Sequence, residues 1–287
     1  MKGWLIYGRK EADCNRGYIN LYMEECRKRQ IQLDLLFVDL LDFGVRDGRP
    51  YISYEGKEER PDFAICRCIY PLLSRHLEEM GVPVFNRAGI AEICNDKART
   101  YLYVSRTGVP MVDSRFCKRD YVEDIASGYP ADTVLKSVDG HGGGQVFDLR
   151  EGFTDTMREC FIKSDGVLQP LTGTRHQDLR VYVIGRDIIA AVLRTAAAGF
   201  KSNYSLGGRV ELYELSEKEK EPVNRIIGLF GGFGLVGIDF IIGDEGQLIF
   251  NEIEDVVGAR MLYQCSDINI VPLYLDWILG ELKECAK

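Results

Sequence analysis

Gly237 to Gly258 reads GIDFIIGDEGQLIFNEIEDVVG, two apolar runs with Asp239, Glu252 and Glu254 set among Ile, Phe and Leu. The pattern predicts a hairpin in which GIDFII turns through GDEG into QLIF. Carboxylates inside apolar strands are costly unless something positive meets them. A loop of two or four residues pairs Asp239 with Phe250, and alternation then places Glu252 and Glu254 on Asp239's face. Asp239 and Glu252 become diagonal neighbours roughly 7–8 Å apart. They can share one or two Mg2+ ions, whose oxygen ligands lie at about 2 Å. An odd-numbered loop would bring Asn251 to that face instead. Carboxylates without His or Cys point to Mg2+ and phosphate chemistry. The plainer alternative is that these acids lie at exposed strand ends, paired with arginine or water.

Candidates for the phosphate side lie upstream. Lys136 stands in TVLKSV on the side of Val134 and Val138 and runs into DGHGGG, residues 139–144. Such glycines let several backbone N–H groups face one anion. The lysine precedes the glycines, so this is no Walker loop, and an ordinary hairpin connection would look the same. Lys97 falls in the first turn of a helix expected from about Asp96 to Thr107, capped by Asn95 or Asp96 and closed by Gly108 and Pro110. A third basic set is Arg180 in DLRVYVIG, Arg194 in AAVLRTA, and Lys201 with Asn203 in GFKSNYSLGGR. A three-residue GRD turn puts Arg180 and Arg194 on one face, where their fixed donors suit carboxylate or phosphoryl oxygens. A polar outer face would carry the same residues.

The whole chain sets the frame. Its 287 residues suffice for two or three domains, and 46% hydrophobic content is that of a globular protein. A net charge of −8 and a pI near 5.1 argue against general binding of nucleic acid or acidic membranes. The opening MKGWLIYGRK turns charged too soon for a leader or anchor, and no apolar run approaches the ~18–20 residues of a membrane span. The nine cysteines are scattered without a CxxC, which fits reduced thiols in a cytoplasmic protein. GWLIYG, LDLLFVD, FAICRC and VPVFN alternate with helical stretches at Tyr18 to Gln30 and Tyr70 to Met80. That spacing implies a parallel α/β domain over residues 1–90, without the GxGxxG of a dinucleotide fold. Residues 91–168 read as a central lobe carrying the glycine-rich loop, and residues 169–287 as a C-terminal lobe of longer hairpins. Ser216 and Glu219 are spaced as a capping box for the helix between those hairpins.

In order, NDKARTYLYVSRTGVPMV, VLKSVDGHGGGQV, LQPLTGTRHQDLRVYVIG, VLRTAAAGFKSNYSLGG, GIDF and FNEIED resemble the RimK-like carboxylate–amine ligases of the ATP-grasp superfamily. The resemblance spans about residues 83 to 258. It implies an α/β and α+β chain, with a Rossmann-like pre-ATP-grasp domain before a two-lobed ATP-grasp domain of antiparallel sheets. It also implies ATP held between the lobes. Lys97 and Lys136 would contact phosphates, His141, Gly142, Gly143 and Gly144 would close over them, and Gln169 and Leu171 would lie at the adenine hinge. Arg180, Arg194 and Asn203 would line the phosphoryl and acceptor region, with Lys201 nearby. Asp239, Glu252 and Glu254 would hold Mg2+, or Mn2+. The implied reaction forms an amide bond through an acyl phosphate, adding an amino acid such as glutamate to a peptide or small metabolite. A phosphotransferase, or a nucleotide-binding module without catalysis, could be built on the same site. Two departures stand out. Family members commonly end in Glu-x-Asn where this chain has Glu252-Ile253-Glu254. Pro170 occupies an acidic or amide hinge position and lacks an N–H, leaving Leu171 as the backbone donor. Arg67, Tyr70 and Arg75 are specificity candidates in the first domain, whose exposed apolar stretches also suit a homo-oligomer.

Overall fold

The computed structural model describes residues 1–173, 175–196 and 208–285. The chain opens with β1 (Lys2–Tyr7), β2 (Gln32–Phe37), a ribbon of β3 (Leu41–Arg46), β4 (Arg49–Tyr54) and β5 (Lys57–Glu58), then β6 (Phe63–Cys66) and β7 (Val84–Phe85). Strands β2-β1-β6-β7 form a parallel sheet in that order. Both faces of β1 are buried: Trp4 and Ile6 enter one apolar cluster, Leu5 and Tyr7 another. Burial on both faces is why a parallel strand reads as a continuous apolar run. Pro71 starts the helix Pro71–Glu79, at a position where a missing N–H costs nothing.

A second sheet, in the order β10-β9-β11-β8, contains β8 (Arg115–Cys117), β9 (Thr133–Ser137), β10 (Val146–Asp148) and β11 (Gly166–Pro170). Leu135 and Leu168 pack beneath it on Met157 and Phe161. The opposite face carries Val134, Lys136 and Gln169. The boundary expected after residue 168 therefore falls inside β11.

The largest sheet runs β14-β13-β12-β15-β16, formed by β12 (Gln177–Gly185), β13 (Asp187–Thr195), β14 (Arg209–Tyr213), β15 (Phe233–Ile242) and β16 (Leu248–Glu254). One face, with Leu179, Val181, Ile238, Phe240 and Phe250, packs on Val223 and Ile226 of the helix Glu217–Phe230. Ser216 and Glu219 close the expected capping box at its start. The other face is apolar at one end, where Tyr182, Ile184 and Leu235 meet the helix Ile270–Cys285. Its other end carries charge. Asn86, just past β7, joins the first sheet to this one: it donates to Leu235 O and Asp255 O at 2.9 and 2.8 Å and accepts from Gly234 N. These three sheets are the expected α/β and α+β architecture.

Candidate active site

The hairpin carrying the acids has a different register from the expected one. Ile242 pairs with Leu248, so residues 243–247 form an odd-numbered loop, and Phe240, not Asp239, faces Phe250. That loop alone would have turned Glu252 and Glu254 into the core. A β-bulge corrects the phase: Asn251 is unpaired, Asp239 faces Glu252 directly, and Gly237 faces Glu254. The extra residue leaves Asn251 and Glu252 on the same side of the strand. Asp239, Glu252 and Glu254 thus share a face, by a route the turn sequence did not disclose.

Their partners differ from the expected metal cluster. Asp239 is 1% exposed and gripped by two arginines. Arg180 donates to Oδ1 and Oδ2 at 2.8 and 2.7 Å, and Arg194 donates to Oδ2 at 2.7 Å. Arg180 also meets Glu254 Oε2 at 2.5 Å, and Arg194 pairs with Asp178. Burial alone would raise the Asp239 carboxyl, but the two guanidiniums hold it at about 2. Glu254, with less compensation, is raised by its burial. Among the described residues no three His, Cys, Asp or Glu side chains form a ready metal cage. Arg180 and Arg194 do share a face, across a tighter turn in which Ile184 pairs with Asp187. Both are buried against carboxylates instead of standing open as expected.

The Glu252 and Glu254 side chains are similarly exposed, 36% and 33%, but Glu252 is the less engaged: its described ion pair is a long one, 3.5 Å from Lys97 Nζ. Lys97 also donates to the Gly140 carbonyl, and Asp96 caps its helix by accepting from Arg99 N. Lys136 Nζ donates to Asn251 Oδ1 at 3.0 Å. Burial, offset in part by Glu252, lowers the Lys136 amine to about 8. Two lysines, an amide and a carboxylate therefore converge where the second and third sheets face each other.

These groups line a cleft whose open space, mouth included, is about 940 Å3. Val112, Val134, Val146, Leu171 and Ile241 give it apolar wall, and Gln145, Thr172, His176, Gln177 and Asp178 add polar groups. Gly140 and Gly143 of the glycine-rich loop line it, whereas His141, Gly142 and Gly144 lie outside the lining. Gln169 lines it too and donates to Ser114 Oγ at 2.8 Å. The Leu171 N–H does not face a ligand: it donates to Asp132 O at 2.8 Å, so Leu171 offers the cleft only its side chain and carbonyl. Lys201 and Asn203 lie outside the described residues. Sequence reasoning offered Asn251 only as the alternative to Glu252 on that face, whereas the odd loop and the bulge together place both there; it missed Asp178, which reads as a polar residue at a strand start.

The donors available to a divalent cation are all oxygens. Glu252 is little engaged, Glu254 has one oxygen on Arg180, and Asp239 Oδ1 accepts a single hydrogen bond. Mg2+ is commonly bound by one or two carboxylates completed by water and substrate phosphates, so a set this sparse fits it.

Comparison with known proteins identifies the family. The RimK-like ATP-grasp domain family matches residues 94–278. N-acetylaspartylglutamate synthase A of Homo sapiens is 30% identical over 281 residues, spanning 90% of this chain and 71% of that protein. A probable alpha-L-glutamate ligase of Vibrio atlanticus is 24% identical, covering 89% of each chain. The solved RimK domain ATP-grasp protein from Sphaerobacter thermophilus superposes with a TM-score of 0.70 at 16% identity, covering 98% of this chain and 100% of that one.

Proposed function

The chain belongs to the RimK-like ATP-grasp family, and from that premise we propose how its cleft serves an ATP-dependent carboxylate–amine ligase. Val112, Val134, Val146 and Ile241 would hold the adenine, and Lys97, Lys136, Gly140 and Gly143 would hold the triphosphate. Mg2+, or Mn2+ with the same liking for oxygen, would be held by Glu252 and Glu254 with a share of Asp239. When bound it neutralises charge on the triphosphate tail.

A substrate carboxylate oxygen attacks the γ-phosphorus, the bond to ADP breaks, and an acyl phosphate results. The amine of the second substrate then attacks the acyl carbon. Phosphate leaves, the amine gives up a proton, and an amide remains. This chemistry needs positioning and charge compensation rather than a nucleophilic side chain. Lys97 and Lys136 orient the phosphates. Arg180 and Arg194 hold Asp239, Glu254 and Asp178 in place behind the phosphoryl end. Folding of residues 139–144 over the site would shield the acyl phosphate from water.

The substrates we favour are an acidic acceptor and an amino acid of the glutamate class. The relatives named as a glutamate ligase and an N-acetylaspartylglutamate synthase support this. Three units serve these roles: residues 1–90, a central lobe extending through β11 to about residue 171, and the remainder.

The observation that carries the proposal is the cleft itself, where Lys97, Lys136, Asn251 and Glu252 share a lining with Val112, Val134, Val146 and Ile241. The test is incubation with Mg2+-ATP and pooled amino acids, N-acyl amino acids and peptides, following ADP and weighing the products. A new amide whose formation requires an amine supports the ligase. A stable phosphorylated product made without amine would identify a phosphotransferase, and ATP binding without ADP release a non-catalytic module.

A further inference from the structure

Arg67 is a buried cation without an ion pair, and the buried Asp255 carboxyl acts on it only electrostatically. It is 6% exposed, and among the described residues no Asp or Glu lies within ion-pair distance of it. Its Nη2 donates to the carbonyls of Val257 and Val256 at 2.8 and 3.3 Å, while its Nε has no partner. The guanidinium lies 5.4 Å from the Tyr18 ring centre. The hydroxyls of Tyr7, Tyr18 and Tyr22 are within its electrostatic reach; Tyr7 approaches the guanidinium and Tyr18 approaches Tyr22, but none of the three buried hydroxyls completes a hydrogen bond. Leaving a buried polar group unsatisfied is costly. A charged group with three hydroxyls around it is far costlier if nothing binds there.

The position of these groups in the fold points the same way. Tyr7 ends β1, and Arg67 follows β6 directly, its N–H extending the ladder to Ile6 O at 2.8 Å. In the order β2-β1-β6-β7 the chain leaves β1 for β2 on one side and crosses to β6 on the other. Open α/β sheets bind ligands in the crevice at the carboxyl ends of the strands flanking such a switch point. Tyr18 and Tyr22, edge to face at 5.1 Å on the helix Arg16–Lys28, pack over Arg67 at these strand ends. Val256 and Val257, which Arg67 holds, lie just past Glu254 in the chain, so the cluster abuts the phosphoryl end of the site.

We propose that Arg67, Tyr7, Tyr18 and Tyr22 form a substrate-carboxylate site, fixing one carboxylate while the reacting end of the molecule faces the cleft beyond Val257. This deepens the ligase reading and rests on it. The guanidinium fork and hydroxyl donors suit a carboxylate. It could be that of the incoming amino acid or the second carboxylate of an acidic acceptor.

The test uses Tyr22→Phe and Tyr7→Phe, which keep each ring and delete one hydroxyl, with Arg67→Lys as a third variant. ADP release gives KM for ATP, L-glutamate and N-acetyl-L-aspartate. Calorimetry with each carboxylate alone, in the presence of a non-hydrolysable ATP analogue, gives binding without turnover. The expected result is a rise of about tenfold or more in KM and Kd for one carboxylate substrate. KM for ATP should stay within about twofold, and neither Tyr→Phe variant should melt below wild type, since no protein partner is lost. Movement of the L-glutamate value assigns the site to the amine substrate, and movement of the N-acetyl-L-aspartate value assigns it to the acceptor. Unchanged values for both in the Tyr→Phe variants, or no binding of either carboxylate by wild type, overturn the proposal. Absence of ADP release by wild type would refute the ligase reading instead, and calorimetry would still decide the carboxylate site.

Discussion

Replacing Asp239 by Asn removes the carboxylate that Arg180 and Arg194 grip together, and the cost can be worked out. Asp239 is 1% exposed, and its carboxyl is held at about 2 against an ordinary 3.8. That lowering corresponds to about 2 kcal/mol favouring the fold. Because the folded value is the depressed one, this stabilisation is complete above about pH 4 and fades as pH falls through about 2. Deleting the charge also leaves two buried guanidiniums facing a neutral amide, a change that typically costs about 3–5 kcal/mol. The second figure governs, since the arginines lose as much as the acid. At about 2–4 °C per kcal/mol for a chain of this size, Tm should fall by of the order of 10 °C. Glu252→Gln is the control. Its carboxylate is one-third exposed and makes one long ion pair at 3.5 Å, so stability should change by less than about 1 kcal/mol. Mg2+-dependent ADP release should nevertheless fall about a hundredfold or more. Thermal melts at pH 7 without nucleotide, with ADP assays alongside, measure both. Asp239→Asn melting with wild type, or Glu252→Gln unfolding as readily, would refute the division into a buried anchor and an open ligand.

Lys136→Met should raise the nucleotide-free Tm at pH 7 by a few degrees, about 1–2 kcal/mol, yet weaken ATP binding tenfold or more. Burial lowers the native amine to about 8 from 10.5, so wild-type stability should itself rise between those pH values. A variant whose melt responds to ATP as wild type does would contradict this. Gly173 has φ +83°, and an added Cβ would lie 2.7 Å from Ile241 Cγ2 and 3.2 Å from Ile242 O. Gly173→Ala should therefore cost about 1–3 kcal/mol and raise KM for ATP by displacing the cleft wall at Ile241, both read from melts and initial rates. Chelation by EDTA should abolish ADP release, with recovery on adding Mg2+ or Mn2+. The nucleotide-free melt should not move, because Arg180, Arg194 and Lys97 already compensate the acids.

The alternation of strand and helix in the first ninety residues, the capped helices and the long hairpins were legible because each rests on local chemistry: apolar period, caps, and glycine or proline at ends. The convergence of Lys97, Lys136 and the acids on one cleft was legible only as separate candidates, since their meeting depends on how two sheets face each other. The bulge at Asn251 had no local signal, as FNEIED reads as a plain strand and only pairing with β15 reveals the extra residue. The Leu171 N–H was misjudged for a related reason: Asp132, its acceptor, lies far off in sequence, and the ladder of β11 with β9 brings the two together. Glu254 read as an added charge for metal, whereas Arg180, opposite Asp239 on β12, takes up much of it.

Asn251 is a residue the hairpin could omit and keep its pairing, since Phe250 and Glu252 would then follow one another opposite Phe240 and Asp239. What its presence adds is a neutral resting place for Lys136. An amide oxygen holds the ammonium in position without an opposing charge, so an arriving phosphate need only outcompete a dipole. A carboxylate there would lock the lysine away; an apolar residue would let it wander.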